Sequence, residues 1–250
     1  MDSTRRQFSA QMLSSLVTYG LIETLWTRNL FADEVKPTME AWLKDLVAMS
    51  NDLKGRKLKD LEFQVKMEEL YKRVDLKALT TLIKLDDIEK TKKLPDSGAG
   101  NYGIDLKQVK GLPADVGFGR QIFGCKKGRS IVPHGHSNMC TGFIIIKGEW
   151  QGKHYDRLET LADHYIIKPT IDATFKAGEL STISDHMDNV HWFKAVSDSA
   201  YIFNVHVIGY DPTIKGNSGR LYLDPEGEKL KDGLVKAKKM SSEDCHKKYG

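Results

Sequence analysis

The sequence predicts a mainly β protein, a jelly-roll β-barrel preceded by an α-helical appendage. Beyond about residue 94, short apolar and β-branched runs alternate with Gly, Pro, Asn and Asp, which is typical of antiparallel strands joined by turns. Over residues 38–90, apolar residues instead recur at helical spacing with Lys and Glu between them. We therefore divide the chain into a helical region, 34–93, and a barrel with a C-terminal extension, 94–250, which follow an N-terminal segment, 1–33.

The barrel region predicts strands at each apolar run. They are Gly119–Cys125, Arg129–Pro133, Gly142–Ile146, Glu149–Tyr155, Tyr165–Lys168, Glu179–Ile183, His191–Val196 and Ala200–Ile208. In the helical region we expect Asp75 to cap a short helix, because its carboxylate can accept hydrogen bonds from amide groups of the first turn. We expect the helices to lie against the barrel, where they either cover its mouth or offer a surface to a partner.

The composition is that of a soluble globular protein. The 250 residues are 40% hydrophobic and 29% charged, with a net charge of +4. The C-terminal lysines between Lys229 and Lys248 are interleaved with acidic residues, which indicates a solvated face and not a nucleic-acid surface. The three cysteines form no spaced framework, so we expect no disulfides.

The N-terminal segment resembles a twin-arginine export signal in Thr4–Phe8, which reads Thr-Arg-Arg-Gln-Phe. The uncharged stretch Met12–Ile22 has the length of the hydrophobic part of a signal peptide and is too short to span a bilayer. The alternative is an ordinary amphipathic N-terminal helix. We expect a periplasmic or exported protein if the signal is used, a cytoplasmic one otherwise, and no stable membrane span.

The strongest chemical signal is the pair His134 and His136 in a segment with strand character. Side chains at i and i+2 of a strand point to the same face, so both imidazoles can reach one metal ion. A third ligand must then come from a facing strand. Neutral imidazole suits Fe, Cu, Ni and Zn.

This segment resembles the first motif of the cupin superfamily, in which a Gly precedes His-x-His, and a Glu and a second Gly follow. Gly128, the two histidines and Gly148 stand at the expected spacings, and Thr141 occupies the Glu position. The stretch from Gly178 to Trp192 resembles the second cupin motif and carries His191. The resemblance implies a cupin barrel that holds one metal ion with His134, His136 and His191 and with no carboxylate.

A carboxylate-free site is similar to that of the thiol dioxygenases, and residues 183–212 resemble the C-terminal half of cysteine dioxygenase. The resemblance implies an Fe(II) enzyme that uses O2 to oxidise a small thiol to a sulfinic acid. It carries a catalytic role over to His206, and Tyr210 stands two residues beyond the position of that family's Tyr. The family's carboxylate-binding arginine has no clear counterpart, and we expect Arg120 and Trp192 to contact the substrate.

Other interpretations stay open. The ion could be Zn, Ni, Mn or Cu, in a small-ligand sensor or in a lyase or isomerase that uses it as a Lewis acid. A cupin without metal is a further alternative. We expect His154 and His164 to lie on the surface and His186 to face solvent in a turn. The partners expected are a small substrate and O2, with the oligomeric state left open.

Overall fold

The computed structural model describes residues 37–215 and 219–250. The N-terminal segment 1–33, for which a signal peptide or a helix is predicted, lies outside the described residues. Four helices open the described chain: α1 (Met39–Lys54), α2 (Asp60–Lys72), α3 (Leu76–Leu82) and α4 (Leu85–Thr91). No helix among the described residues is both long enough and apolar enough to cross a membrane.

Twelve strands follow among the described residues. They are β1 (Gly100–Gly103), β2 (Gly119–Lys126), β3 (Ser130–Ser137), β4 (Met139–Lys147), β5 (Glu149–Thr160), β6 (His164–Lys176), β7 (Leu180–Ile183), β8 (Val190–Ala195), β9 (Ser199–Ile208), β10 (Gly219–Tyr222), β11 (Glu228–Lys229) and β12 (Val235–Lys238). A last helix, α5 (Ser242–Tyr249), ends the chain.

The strands form two antiparallel sheets, one of five strands in the order β1-β2-β9-β4-β7 and one of seven in the order β10-β3-β8-β5-β6-β12-β11. Several pairs of neighbouring strands, such as β4 with β9 and β3 with β8, are far apart in sequence, as in a jelly roll. The inner faces meet in an apolar core that includes Phe143, Trp150 and Phe193. The predicted jelly-roll fold with N-terminal helices is confirmed.

The helices cover the outer face of the five-stranded sheet. Trp42 of α1 is fully buried, and its Nε1 donates to the Leu70 carbonyl oxygen at 2.9 Å. From α2, Gln64 Nε2 donates to the Thr182 carbonyl oxygen of β7 at 3.0 Å. Asp75 caps α3 as expected, since its Oδ1 accepts from the Ala78 amide at 2.9 Å. The helices and the outer face of the five-stranded sheet therefore share one hydrophobic core, separate from the core between the two sheets.

Two glycines of the first motif occupy tight turns. Gly128, between β2 and β3, has φ +79°, and Gly148, between β4 and β5, has φ +74°. This left-handed conformation is open to glycine and strained for other residues. The spacing of the motif therefore corresponds to two turns, one before β3 and one after β4, the consecutive strands that pass from one sheet to the other.

The three cysteines are buried and unpaired, as expected. Burial raises the pKa of Cys125 to about 12 and that of Cys245 to about 11. Both thiols are therefore protonated and unreactive at neutral pH.

We expect Trp42→Ala to lower the free energy of unfolding by about 3–5 kcal/mol, because it leaves a cavity between α1 and the barrel. Urea titration monitored by circular dichroism measures the change. The control is Leu158→Ala, at a side chain that is 52% exposed, which should shift stability by less than about 0.5 kcal/mol. Equal effects of the two variants would contradict the packing described.

Candidate metal centre

The three predicted ligands converge on one point inside the barrel. His134 and His136 lie on β3, and His191 lies on the neighbouring strand β8, directly opposite His134. Each offers one imidazole nitrogen, and the three nitrogens lie within 4.8 Å of one another. One ion with bonds of about 2.1 Å can be held by such a group after small rotations of the rings.

All three rings are in the neutral form that binds metals. Burial lowers the pKa of each, to about 3 for His136, and the positive charge of Arg220 lowers them further. His134 Nδ1 lies 2.7 Å from the Val132 carbonyl oxygen and must donate to it, which leaves Nε2 free as the ligand atom.

The donor set fits a transition-metal ion. His136 and His191 are each buried, with an Nδ1 that has no hydrogen-bond partner among the described residues. Buried polar atoms are normally satisfied, so a histidine cluster of this kind is typical of a metal site. Three imidazoles without a carboxylate suit Fe, Cu, Ni or Zn. These residues form a three-histidine metal-binding group.

Asn189 fixes the position of the His136 backbone and was not singled out by the sequence patterns. Its Nδ2 donates to the His136 carbonyl oxygen at 3.0 Å, and its Oδ1 accepts from the His136 amide at 3.3 Å. Because Asn189 lies two residues before His191, one side chain ties the two ligand-bearing strands together. Gly135 makes the contact possible, since a methyl group there would lie 2.7 Å from Asn189 Oδ1.

The histidines line one wall of a cavity of about 230 Å³. The opposite wall comes from the inner face of the five-stranded sheet. The lining residues are Gln121, Phe123, Ile131, His134, His136, Met139, Thr141, Phe143, His191, Asn204, His206, Ile208, Gly219 and Arg220. A cavity of this size fits a small molecule.

His206 and Thr141 face each other across neighbouring strands of that opposite wall. His206 Nδ1 lies 3.2 Å from Asn204 Oδ1, and burial lowers the His206 pKa. Thr141 Oγ1 is buried and has no partner among the described residues. The Thr at the carboxylate position of the motif thus faces the cavity, as the motif alignment requires.

Tyr210 does not reach the cavity. Strand β9 ends at Ile208, and Gly209 at φ +66° turns the chain, so the alternation that would aim Tyr210 inward stops. The Tyr210 hydroxyl donates to Asp185 Oδ2 at 3.2 Å, and its ring packs in the core beneath the helices. The structure therefore places Tyr210 outside the cavity, not on the inward-facing side that was expected for it.

Arg120 and Trp192 also lie on the wrong faces of their strands for substrate contact. Arg120 is opposite Val205, a residue of the helix-facing core, whereas the next residue, Gln121, faces the cavity. Trp192 follows the inward His191 and points outward, with its ring 5.0 Å from that of Tyr249 in α5.

The arginine at the cavity is Arg220, which the sequence patterns did not indicate. It lies on the short edge strand β10, opposite His136, with its guanidinium 5.6 Å from the centre of the Phe123 ring. Residues 216–218, just before β10, lie outside the described residues. Arg220 is exposed, so it stands at the cavity mouth.

Among the remaining histidines, His154 corrects an expectation. It was expected on the surface, but it is fully buried on β5 opposite His191, with Ser181 Oγ within 3.4 Å of its ring nitrogens. His164 is half-buried, with Nδ1 2.6 Å from Asp163 Oδ1. The His186 side chain is 69% exposed and lies 2.6 Å from Asp60 Oδ2.

No protein-family model and no curated protein matches this chain. Among solved structures, it is similar to a recombinant oxalate oxidase in complex with glycolate, at 17% identity and a TM-score of 0.36, over 51% of this chain and 56% of that one. It is also similar to an uncharacterized conserved protein with a double-stranded β-helix domain from Klebsiella pneumoniae, at 13% identity and a TM-score of 0.37, over 54% of this chain and 87% of that one.

A further match is the 11S globulin procruciferin from Brassica napus, at 10% identity and a TM-score of 0.29, over 37% of this chain and 21% of that one. The chain thus spans little more than half the length of the oxalate oxidase and about a fifth of the globulin. Likenesses this low support no inference about activity. The jelly-roll fold of this chain follows from its own strand order.

We expect His134→Ala to lose the bound metal, because two imidazoles on neighbouring strands hold an ion far less tightly than three. Elemental analysis of the purified variants measures the metal content. The control His164→Ala, at a half-buried histidine away from the cavity, should keep the wild-type metal content. Full metal content in His134→Ala would rule out the site described.

We expect Gly135→Ala to weaken metal binding by roughly 10- to 100-fold, because the added methyl group displaces Asn189 and with it the backbone of His136. Competition with a coloured chelator measures the affinity. Gly103→Ala is the matched control, since a methyl group there meets no atom within 4 Å. An unchanged affinity in Gly135→Ala would show that Asn189 does not position the ligands.

Proposed function

We propose that this protein is an Fe(II)-dependent dioxygenase that oxidises a small thiol to a sulfinic acid. The observation that carries the proposal is a site of three neutral histidines, with Thr141 facing the cavity where a carboxylate would stand. Three protein ligands leave about three positions on an octahedral ion, enough for a bidentate substrate and O2. The reaction balances as R–SH + O2 → R–SO2H, so it needs no further reductant.

When bound, the iron would supply a Lewis acid that lowers the thiol pKa and a centre that activates O2. The protein supplies the rest of the chemistry. The barrel walls hold the substrate in a small space, and the rings of Phe123 and Phe143 line it and exclude water. Fixing both reactants in one place removes much of the entropic barrier to their reaction.

His206 is suited to hold the thiol proton. Its Nδ1 donates to Asn204 Oδ1, so in the neutral ring Nε2 carries no proton and can accept one. Burial lowers the His206 pKa, which keeps the ring neutral at physiological pH. A methyl group at Gly119 would lie 2.1 Å from His206 Nε2, so the glycine gives the ring its room.

Arg220 favours a substrate with a negative charge. It is the charged side chain that lines the cavity within the described ranges, and it stands at the mouth. A guanidinium attracts carboxylates and binds them through paired hydrogen bonds. We infer that Arg220 takes the role first expected of Arg120.

The signal-like N-terminus adds a proposal about location. The twin-arginine pathway carries folded proteins, so a protein using Arg5 and Arg6 as its signal could acquire its metal before export. Fractionation of cells that express the full chain and its Arg5→Lys, Arg6→Lys variant tests this. Unchanged distribution between compartments would refute export by this route.

We expect the iron-loaded protein to consume one O2 per sulfinate formed with at least one of cysteine, cysteamine, 3-mercaptopropionate and mercaptosuccinate. An oxygen electrode and mass spectrometry of the product measure both quantities. His134→Ala, treated with iron in the same way, is the control for free-metal oxidation. Absence of O2 uptake with all four thiols, in a protein that holds its metal tightly, would favour a non-oxygenase metal protein.

A further inference from the structure

We propose that Asn204 determines the substrate specificity of the cavity, by donating from its Nδ2 amide to an acceptor oxygen of the bound molecule. The same donor disfavours an ammonium group at this position. This inference rests on the proposed function in one respect, the thiol group of the bound molecule. Its evidence is a row of hydrogen-bonded amide side chains that ends in the cavity wall.

Three amide side chains form this row, which we call the amide ladder: Asn101, Gln121 and Asn204. They lie on adjacent strands, β1, β2 and β9. Asn101 Nδ2 donates to Gln121 Oε1 at 2.9 Å, and Gln121 Nε2 donates to Asn204 Oδ1 at 3.1 Å. Asn101 thus donates to Gln121, and Gln121 in turn donates to Asn204, so the hydrogen bonds run in one direction toward the cavity wall.

The ladder fixes which way the Asn204 amide points. Its Oδ1 accepts from Gln121 Nε2 and also from His206 Nδ1, at 3.2 Å. With the ladder running in this direction, turning the amide over would set Nδ2 against Gln121 Nε2 and lose that hydrogen bond. Asn204 therefore presents Oδ1 to the sheet and Nδ2 to the other side.

That Nδ2 is a buried donor without a hydrogen-bond partner in the part of the chain that the structure describes. Asn204 is 2% exposed and lines the cavity, and Nδ2 has no hydrogen-bond partner among the described residues. Leaving a buried donor unsatisfied costs about 1–3 kcal/mol, so such a group indicates a ligand that satisfies it.

Thr141 is a second unpaired group on the same wall. Its Oγ1 is buried without a partner among the described residues, and its neighbour across the strands is His206. Asn204 and Thr141 thus flank His206 on the inner face of one sheet and look toward the three histidines of the other. A ligand oxygen held between the sheets can accept hydrogen bonds from Asn204 Nδ2 and Thr141 Oγ1. An ammonium group in the same place is repelled by the hydrogens of Nδ2.

The specificity can be measured with two ligands of equal chain length, 3-mercaptopropionate and cysteamine. They share the thiol and differ in carrying a carboxylate or an ammonium. Isothermal titration calorimetry on the Co(II)-loaded protein without O2 gives both affinities without turnover. We expect the wild type to bind the acid more tightly than the amine.

Asn204→Ala removes the donor without adding charge, and Asn204→Asp keeps the acceptor for Gln121 while replacing the donor by an acceptor. We expect the acid affinity to fall roughly tenfold or more in Asn204→Ala, the size of a hydrogen bond to a charged group. The amine affinity should rise, because the donor that disfavours an ammonium is gone. In Asn204→Asp the preference should reverse. The matched control is Gln151→Ala, at an amide on the outward-facing side of β5, which should change neither affinity.

Gln121→Leu tests the ladder itself. It should weaken acid binding by releasing the Asn204 amide, but should add nothing in an Asn204→Ala background, since its effect passes through Asn204. Additive effects of the two substitutions would overturn the ladder as the source of the orientation. Metal content, measured for every variant, must equal that of the wild type.

Propionate and ethylamine, the same pair without the thiol, separate the two proposals. If neither thiol binds but propionate does, with a loss in Asn204→Ala, the Asn204 inference stands and the thiol substrate is wrong. If the thiols bind and their ratio is the same in all variants, the Asn204 inference is overturned and the proposed function stands. Failure of both acids to bind overturns the inference.

Discussion

The metal centre depends on one contact, between the Asn189 side chain and the backbone of His136. Two ligands come from β3 and the third from β8, and these strands are separated by more than fifty residues of chain. Asn189 bonds both the amide and the carbonyl of His136, at 3.3 and 3.0 Å. It leaves no room for a side chain at Gly135. Together with the pairing of His134 opposite His191, this side chain fixes the spacing of the ligands, although it is not a metal ligand itself.

Burial sets the chemistry of the same residues. In water the histidines would be partly protonated near neutral pH and would repel both one another and a cation. Enclosed between two sheets, with Arg220 nearby, they have lowered pKa values and remain neutral. The cost of enclosing polar rings is offset where each finds a partner, as His134 does in the Val132 carbonyl oxygen.

The position of a residue could be predicted where it depends on neighbouring residues in the sequence, and could not where it depends on which strands pair. The fold and the pair His134 and His136 could be predicted, because strand alternation and turn glycines are local properties. His191 was expected only from the resemblance of its segment to a known metal-binding motif. Arg120 and Trp192 could not be placed, since their inward or outward direction depends on which strands pair. The position of Tyr210 was predicted wrongly, because Gly209 adopts a left-handed conformation and ends the alternation of β9. Arg220 was not predicted, because its strand, β10, is too short to show a period of two. The burial of His154 was not predicted, because it results from the pairing of β5 with β8.

One face of strand β9 packs against the helices and the other lines the cavity, and this limits which mutations the strand can accept. Alternate residues of β9 belong to the helix-facing core, as Phe203 and Val205 do, or to the cavity wall, as Asn204 and His206 do. A shift of one position in its register would exchange the two sets. An insertion or deletion within β9 would therefore move Asn204 and His206 out of the cavity wall, whereas point substitutions at every second residue change the wall and leave the helix-facing core in place.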